Sequence, residues 1–140
     1  MREFGQHLTI DASKCDIKKL MDYSLVYDIL NKLPEKLGMT KMMLPHVVKW
    51  LDAGATIDGI SGFVMIAESH ISIHTFPEKK YAFIDIFSCK QFDAEGAVQL
   101  LINAFMAKKH TTKTIIRGED FPRSDAYSIY SSGAIQLTSH

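Results

Sequence analysis

The first regular pattern along the chain is an alternation. Between Phe4 and Asp11, Leu8 and Ile10 take turns with His7 and Thr9, which predicts a half-buried strand. Cys15-Asp16 opens a new segment. From Asp22 or Ser24 onward, Val26, Ile29, Leu30, Leu33 and Leu37 recur at spacings of three and four, so one face of a helix is apolar, a polar residue caps its start and Gly38 stops it. Pro34 lacks an N–H and its ring crowds the preceding turn, which predicts a kink or a short second helix at that point.

Thr40 to Leu51 combines Pro45 with Val47, Val48 and Trp50 and reads as an edge strand, and Asp52 to Gly59 reads as loop. Three apolar runs follow, Ile60 to Ala67, His70 to Thr75 and Tyr81 to Ser88, joined by connections too short for parallel crossovers. They predict an antiparallel meander. Asp93 caps a second helix reaching about Lys109, with Ala97, Leu100, Leu101, Ala104 and Phe105 on one face and Lys108, Lys109 and His110 at its C-terminal dipole. Thr112 to Arg117 is the last strand. This order predicts an α+β fold, a two-layer sandwich in which a largely antiparallel sheet carries two helices on one face. Residues 1–118 form the single domain; after Gly118 the chain is rich in Ser and short of hydrophobics, and 119–140 is expected to be a partly mobile tail.

Composition narrows the function classes. The 140 residues suit one domain, and 16 Lys+Arg against 16 Asp+Glu leave no basic footprint for nucleic acid. No apolar run reaches the roughly 18 residues a membrane span needs. Cys15 and Cys89 stand 74 positions apart with no CxxC, so neither a disulfide framework nor a zinc knuckle is expected, and a reducing cytoplasm is the default.

The chemistry concentrates between Ala67 and Cys89, where Glu68, Ser69, His70, Ser72, His74, Glu78, Asp85 and Cys89 stand close together. Three readings of these residues compete. His70 and His74 share a strand face and suit a metal, but no Cys or acidic cluster completes a ligand set. Ser69 or Cys89 with a histidine suits a hydrolase, but there is no GxSxG elbow. The third reading is a merely polar sheet face.

The contiguous stretch Glu68-Ser69-His70-Ile71-Ser72-Ile73-His74-Thr75-Phe76-Pro77-Glu78 resembles the processing segment of the prokaryotic S-adenosylmethionine decarboxylases, which are pyruvoyl-dependent enzymes. Gly5-Gln-His-Leu, Cys15-Asp16, Gly59-Ile-Ser61-Gly62, Ile84-Asp-Ile-Phe-Ser-Cys89 and Arg117-Gly118 extend the resemblance over residues 4 to 118. It implies self-cleavage between Glu68 and Ser69 into chains 1–68 and 69–140, with Ser69 converted to a covalent pyruvoyl cofactor. That carbonyl condenses with the substrate amine and withdraws the electrons released with CO₂, as PLP does elsewhere.

The resemblance also assigns roles. Glu68 is the cleavage site, His74 moves a proton during processing, Ser61 assists processing beside the cleavage site, and Cys89 is the proton donor in decarboxylation. It implies S-adenosylmethionine as substrate, supplying the aminopropyl donor of polyamine synthesis, no metal, and a homodimer of cleaved protomers with each site near the subunit interface. Relatives of the family decarboxylate arginine or ornithine, and an unprocessed paralogue would be a binding protein. In the S-adenosylmethionine enzymes an aromatic residue shortly before Gly-x-Ser-Gly stacks on adenine, whereas this chain reads Ala55-Thr56-Ile57-Asp58. Trp50 is the candidate replacement platform, and Asp58 or Asp52 is the candidate partner of a cationic substrate group. Strict strand alternation puts Ser69 and His74 on opposite faces, so Ser69 is expected in a turn or at a strand end with a bent backbone.

Overall fold

The computed structural model describes residues 4–51 and 57–122, the side chains of Ile57 and Asp58 excepted. The elements run β1 (Gly5–Ser13), α1 (Ile17–Leu20), α2 (Tyr23–Lys36), β2 (His46–Leu51), β3 (Ile57–Ile66), β4 (Ser69–Phe76), a 3-10 turn (Pro77–Lys79), β5 (Tyr81–Ser88), α3 (Ala94–Ala104) and β6 (Lys109–Arg117). The strands make one sheet in the order β2-β3-β4-β5-β1-β6, and every pairing is antiparallel. The α+β expectation therefore holds, and β2 is the edge strand that Pro45 led us to expect.

Alternation decides which sheet face is covered. Leu8 and Ile10 of β1, Ile71 and Ile73 of β4, and Ile84 and Ile86 of β5 are buried together with Leu30 and Leu33 of α2 and Leu101 and Phe105 at α3. Three aspartates start the helices: Asp16, Asp22 and Asp93 each accept a hydrogen bond from the backbone N–H three residues on. The opposite face has no helix over it among the described residues. It carries Phe63, Met65, Phe83 and Ile115, each 39–48% exposed, interleaved with histidines.

The structure corrects three boundaries. Pro34 does not split α2, because it lies in the last turn, where one missing N–H costs a single bond, and Pro34 is buried. The second helix ends at Ala104 rather than Lys109; Met106 follows with φ 52°, and the chain turns into a strand that begins at Lys109. Lys109 and His110 are consequently strand residues, and no helix dipole acts on them. Residues 52–56, where loop was expected, and residues 123–140 of the expected tail lie outside the described residues.

Candidate active site

The β3–β4 hairpin is the frame of the site. Ile66 pairs with Ser69, so Ala67 and Glu68 form a two-residue turn and Ser69 is the first residue of β4. Its φ is 148°, a value the Cβ of an L-residue disfavours. Ser69 thus stands at a strand end with a strained backbone.

Glu68 is gripped from two sides. The residue is 7% exposed; its carboxylate accepts from the Thr40 N–H at 3.0 and 3.3 Å, and its carbonyl oxygen accepts from the Cys89 N–H at 2.9 Å. Ser69 pairs with Ser88 across β4 and β5, and Ser88 Oγ is closed onto Lys90 by two bonds of 2.8 and 2.9 Å. Gly5 fits against this end of β5 because it has no side chain: a Cβ there would lie 2.2 Å from the Ser88 carbonyl oxygen.

The two cysteines differ in kind. Cys15 is buried in the core, and burial pushes its thiol up to about 11. Cys89 is half-buried at the cleavage end; burial, and then the neighbouring Glu68 carboxylate, raise its thiol above the ordinary value of 9.0, with its own backbone hydrogen bond working the other way. A protonated thiol next to the Glu68–Ser69 bond can act as an acid.

Ser61 and His74 are brought together, and both lie away from that bond. They are register partners on β3 and β4, with His74 Nδ1 2.9 Å from Ser61 Oγ. His74 is five residues along β4 from Ser69, about 17 Å at the usual strand rise. Within one chain, strand rise holds this pair at the far end of the hairpin from the Glu68–Ser69 bond.

A second polar group lies on the open face, absent from the sequence-based site. His7 Nε2 is 3.3 Å from Asp85 Oδ1 without making a hydrogen bond, so this buried nitrogen has no hydrogen-bond partner among the described residues. His70 stacks edge-on to His7, and Arg117 lies over the Phe87 ring at 4.3 Å. Burial lowers His70 below its ordinary value, as do His7 and Arg117, while Asp85 opposes them. His7 therefore belongs to this polar group. The available signal was Asp85, a lone acid in an apolar strand. Thr40 and the Cys89 backbone had no signal, since their contribution is an N–H that every non-proline residue carries.

Of the substrate-binding candidates, Trp50 stands 63% exposed on β2 and is no part of the core. The Asp58 side chain and Asp52 lie outside the described residues. Among the described residues no group of three or more His, Cys, Asp or Glu could hold a metal, and no helix is long and apolar enough to cross a membrane.

Comparison with known proteins gives a consistent result. Residues 6–118 match the model of a family described as S-adenosylmethionine decarboxylase. The chain is 38% identical over 120 residues to the S-adenosylmethionine decarboxylase proenzyme of Clostridium botulinum (strain Langeland), covering 85% of this chain and 98% of that one. It is 33% identical over 119 residues to the proenzyme of the same description from Pyrococcus furiosus, covering 84% and 81%. Among solved structures, the adenosylmethionine decarboxylase from Aquifex aeolicus superposes with a TM-score of 0.67 at 27% identity, over 89% of this chain and 99% of that one.

Proposed function

Since the chain belongs to the S-adenosylmethionine decarboxylase family, we propose that it is a proenzyme that cuts itself between Glu68 and Ser69 and then decarboxylates S-adenosylmethionine. The carrying observation is the scissile bond itself: a strained Ser69 follows a carbonyl already held by the Cys89 N–H. Ser69 Oγ attacks the Glu68 carbonyl carbon, and negative charge builds on the oxygen that this N–H faces. The Oγ proton passes to the Ser69 nitrogen as the C–N bond breaks, leaving an ester. A base removes the Ser69 Cα proton, Glu68 departs as a carboxylate, and water hydrolyses the dehydroalanine with loss of ammonia, leaving a pyruvoyl group at position 69.

The residues fit such a group. Cleavage removes the bond that makes φ of Ser69 unfavourable, so the reaction releases strain that the precursor stores. The pyruvoyl group supplies the electron sink for the pair left behind by CO₂. Cys89, held protonated by burial and Glu68, delivers a proton to the product carbon.

The base in this reading is His74, oriented by Ser61, and its separation of about 17 Å from the Ser69 of its own chain supports its coming from a second copy. A homodimer packed through the open faces supplies it, and the exposed Phe63, Met65 and Phe83 suit such a two-fold contact. His74 and Ser61 then serve the Ser69 of the other protomer. Arginine or ornithine is the alternative substrate, since residues 55–58 offer no aromatic platform for adenine. Denaturing electrophoresis and mass spectrometry test the cleavage, with CO₂ release measured from the three amino acids in parallel. An intact 15.8 kDa chain after prolonged incubation sinks the proposal.

A further inference from the structure

A basic surface of the described chain lies at the opposite end of the sheet from that chain's own cleavage end. A crevice of about 750 Å³ is lined by Lys14, Lys18, Lys80 and Lys108, with Asp16 the sole acid on its wall and Cys15 at its floor. The four lysines come from separate places: the end of β1, α1, the turn before β5, and the turn before β6.

Backbone hydrogen bonds tie these places together. The Lys108 N–H donates to the Lys14 carbonyl at 3.4 Å, the Cys15 N–H to the Lys80 carbonyl at 3.0 Å, and the Asp16 N–H to the Phe105 carbonyl at 3.0 Å. Lys14 and Lys80 sit at φ 53° and 54°, where glycine is the usual choice, so long cationic side chains occupy two positions that the backbone disfavours for them. None of the four ammonium groups is paired with a carboxylate among the described residues. Asp16 Oδ1 is itself engaged by the Lys19 N–H at 3.1 Å. In a chain of zero formal net charge, four unpaired cations around one crevice form a local excess.

We propose that this crevice binds a small polyanion, a di- or triphosphate group, free or carried by a nucleotide. Four ammonium groups from converging segments match several phosphate charges, and the volume admits a triphosphate without contact with the sheet's open face. Lys14 follows β1 and Lys80 precedes β5, whereas Ser69 pairs with the last residue of β5; the crevice is thus about 25 Å from Ser69 by strand rise. It is distinct from the cleavage end of its own chain, and binding there does not depend on the decarboxylase reading.

Isothermal calorimetry with inorganic triphosphate, and separately with ATP, in metal-free buffer tests it on the purified full chain. One site per chain is expected, with affinity falling steeply as salt is added. The paired change Lys18→Ala, Lys108→Ala should weaken binding at least tenfold, and Lys18→Arg, Lys108→Arg should retain it. The control Lys32→Ala, Lys36→Ala, on α2, should leave it unchanged. Equal affinity for triphosphate and ATP assigns recognition to the phosphates alone; tighter ATP binding adds the nucleoside. No binding at millimolar triphosphate, or an equal loss in the α2 control, overturns the proposal. Thermal unfolding of each variant without ligand shows that the fold persists.

Discussion

The backbone N–H of Cys89 meets the carbonyl oxygen of Glu68 at 2.9 Å, so the residue carrying the candidate proton donor also holds the bond to be cut. An oxygen that gains charge during attack on its carbon is best served by a donor already in place, and loss of one such donor typically costs about 10²–10³ in rate. This donor cannot be removed by substituting its side chain, but it can be displaced. Gly5→Ala would drive a Cβ to within 2.2 Å of the Ser88 carbonyl and 2.7 Å of Cys89 Cα. We expect self-cleavage of Gly5→Ala to slow at least tenfold, followed as the rise of two bands on a denaturing gel. A wild-type time course would detach the Cys89 N–H from the reaction.

Ser69→Ala has no nucleophile and should remain a single chain indefinitely. His74→Ala should stop one step later, at the ester. Hydroxylamine cuts esters and leaves amides, so it should split His74→Ala and leave Ser69→Ala whole. Resistance of both variants would remove His74 from the elimination step.

Separation of His74 from Ser69 within one chain makes a mixed dimer informative. When Ser69→Ala and His74→Ala chains are co-expressed, the first lends its histidine to the serine of the second. The His74→Ala chain should then be cleaved, in proportion to the mixed dimers formed, while the Ser69→Ala chain stays intact. Mass spectrometry of tagged chains distinguishes them. Absence of cleavage in a mixture shown to contain mixed dimers would return the base to the same chain.

Cys89 should separate maturation from turnover. Cys89→Ser keeps the backbone N–H and so should cleave, but a hydroxyl is a far weaker acid, and kcat should fall by a factor on the order of 10²–10⁴. The pH profile follows from the sign of the shift. An acid must be protonated to donate, and a thiol raised above 9.0 stays protonated through neutrality, so the wild-type rate should fall only on the alkaline side of that value. Glu68→Gln removes one of the causes of the shift and should move that limb to lower pH in the fraction that matures.

The Glu68 carboxylate also tests the energetics of its burial. Glu68→Ala leaves the Thr40 N–H without its partner in a partly buried place, a loss of about 1–3 kcal/mol. Glu68→Gln keeps an acceptor there and should lose less. Chemical denaturation of the two variants in a Ser69→Ala background, where cleavage does not intervene, measures the difference; equal stabilities would show that the contact contributes nothing.

Period and punctuation carried most of the architecture. The alternation in β1, β4 and β5 and the three-and-four spacing in α2 are local consequences of where apolar side chains must point, and a single sequence displays them. The caps at Asp22 and Asp93 and the stop at Gly38 were legible as local punctuation, whereas the short α1 behind Asp16 was not expected. Helix α3 was overextended because Phe105 to His110 contains nothing that forbids helix; the turn at Met106 comes from the register that pairs β6 with β1. Ser69 was legible as a conflict, since its parity and that of His74 could not both be satisfied on a straight strand.

What the tertiary structure alone decided is who stands near whom. Residues Glu68 to His74 form one continuous segment, yet strand rise divides it into a cleavage end with Glu68, Ser69 and Cys89 and a far end with Ser61 and His74. Thr40 reaches Glu68 at one end of the sheet, and four lysines scattered between positions 14 and 108 line one crevice at the other, because antiparallel pairing folds distant segments together. Sequence spacing records distance along the chain, and in an extended strand a short spacing is a long separation, whereas across neighbouring strands a long one can be a single hydrogen bond.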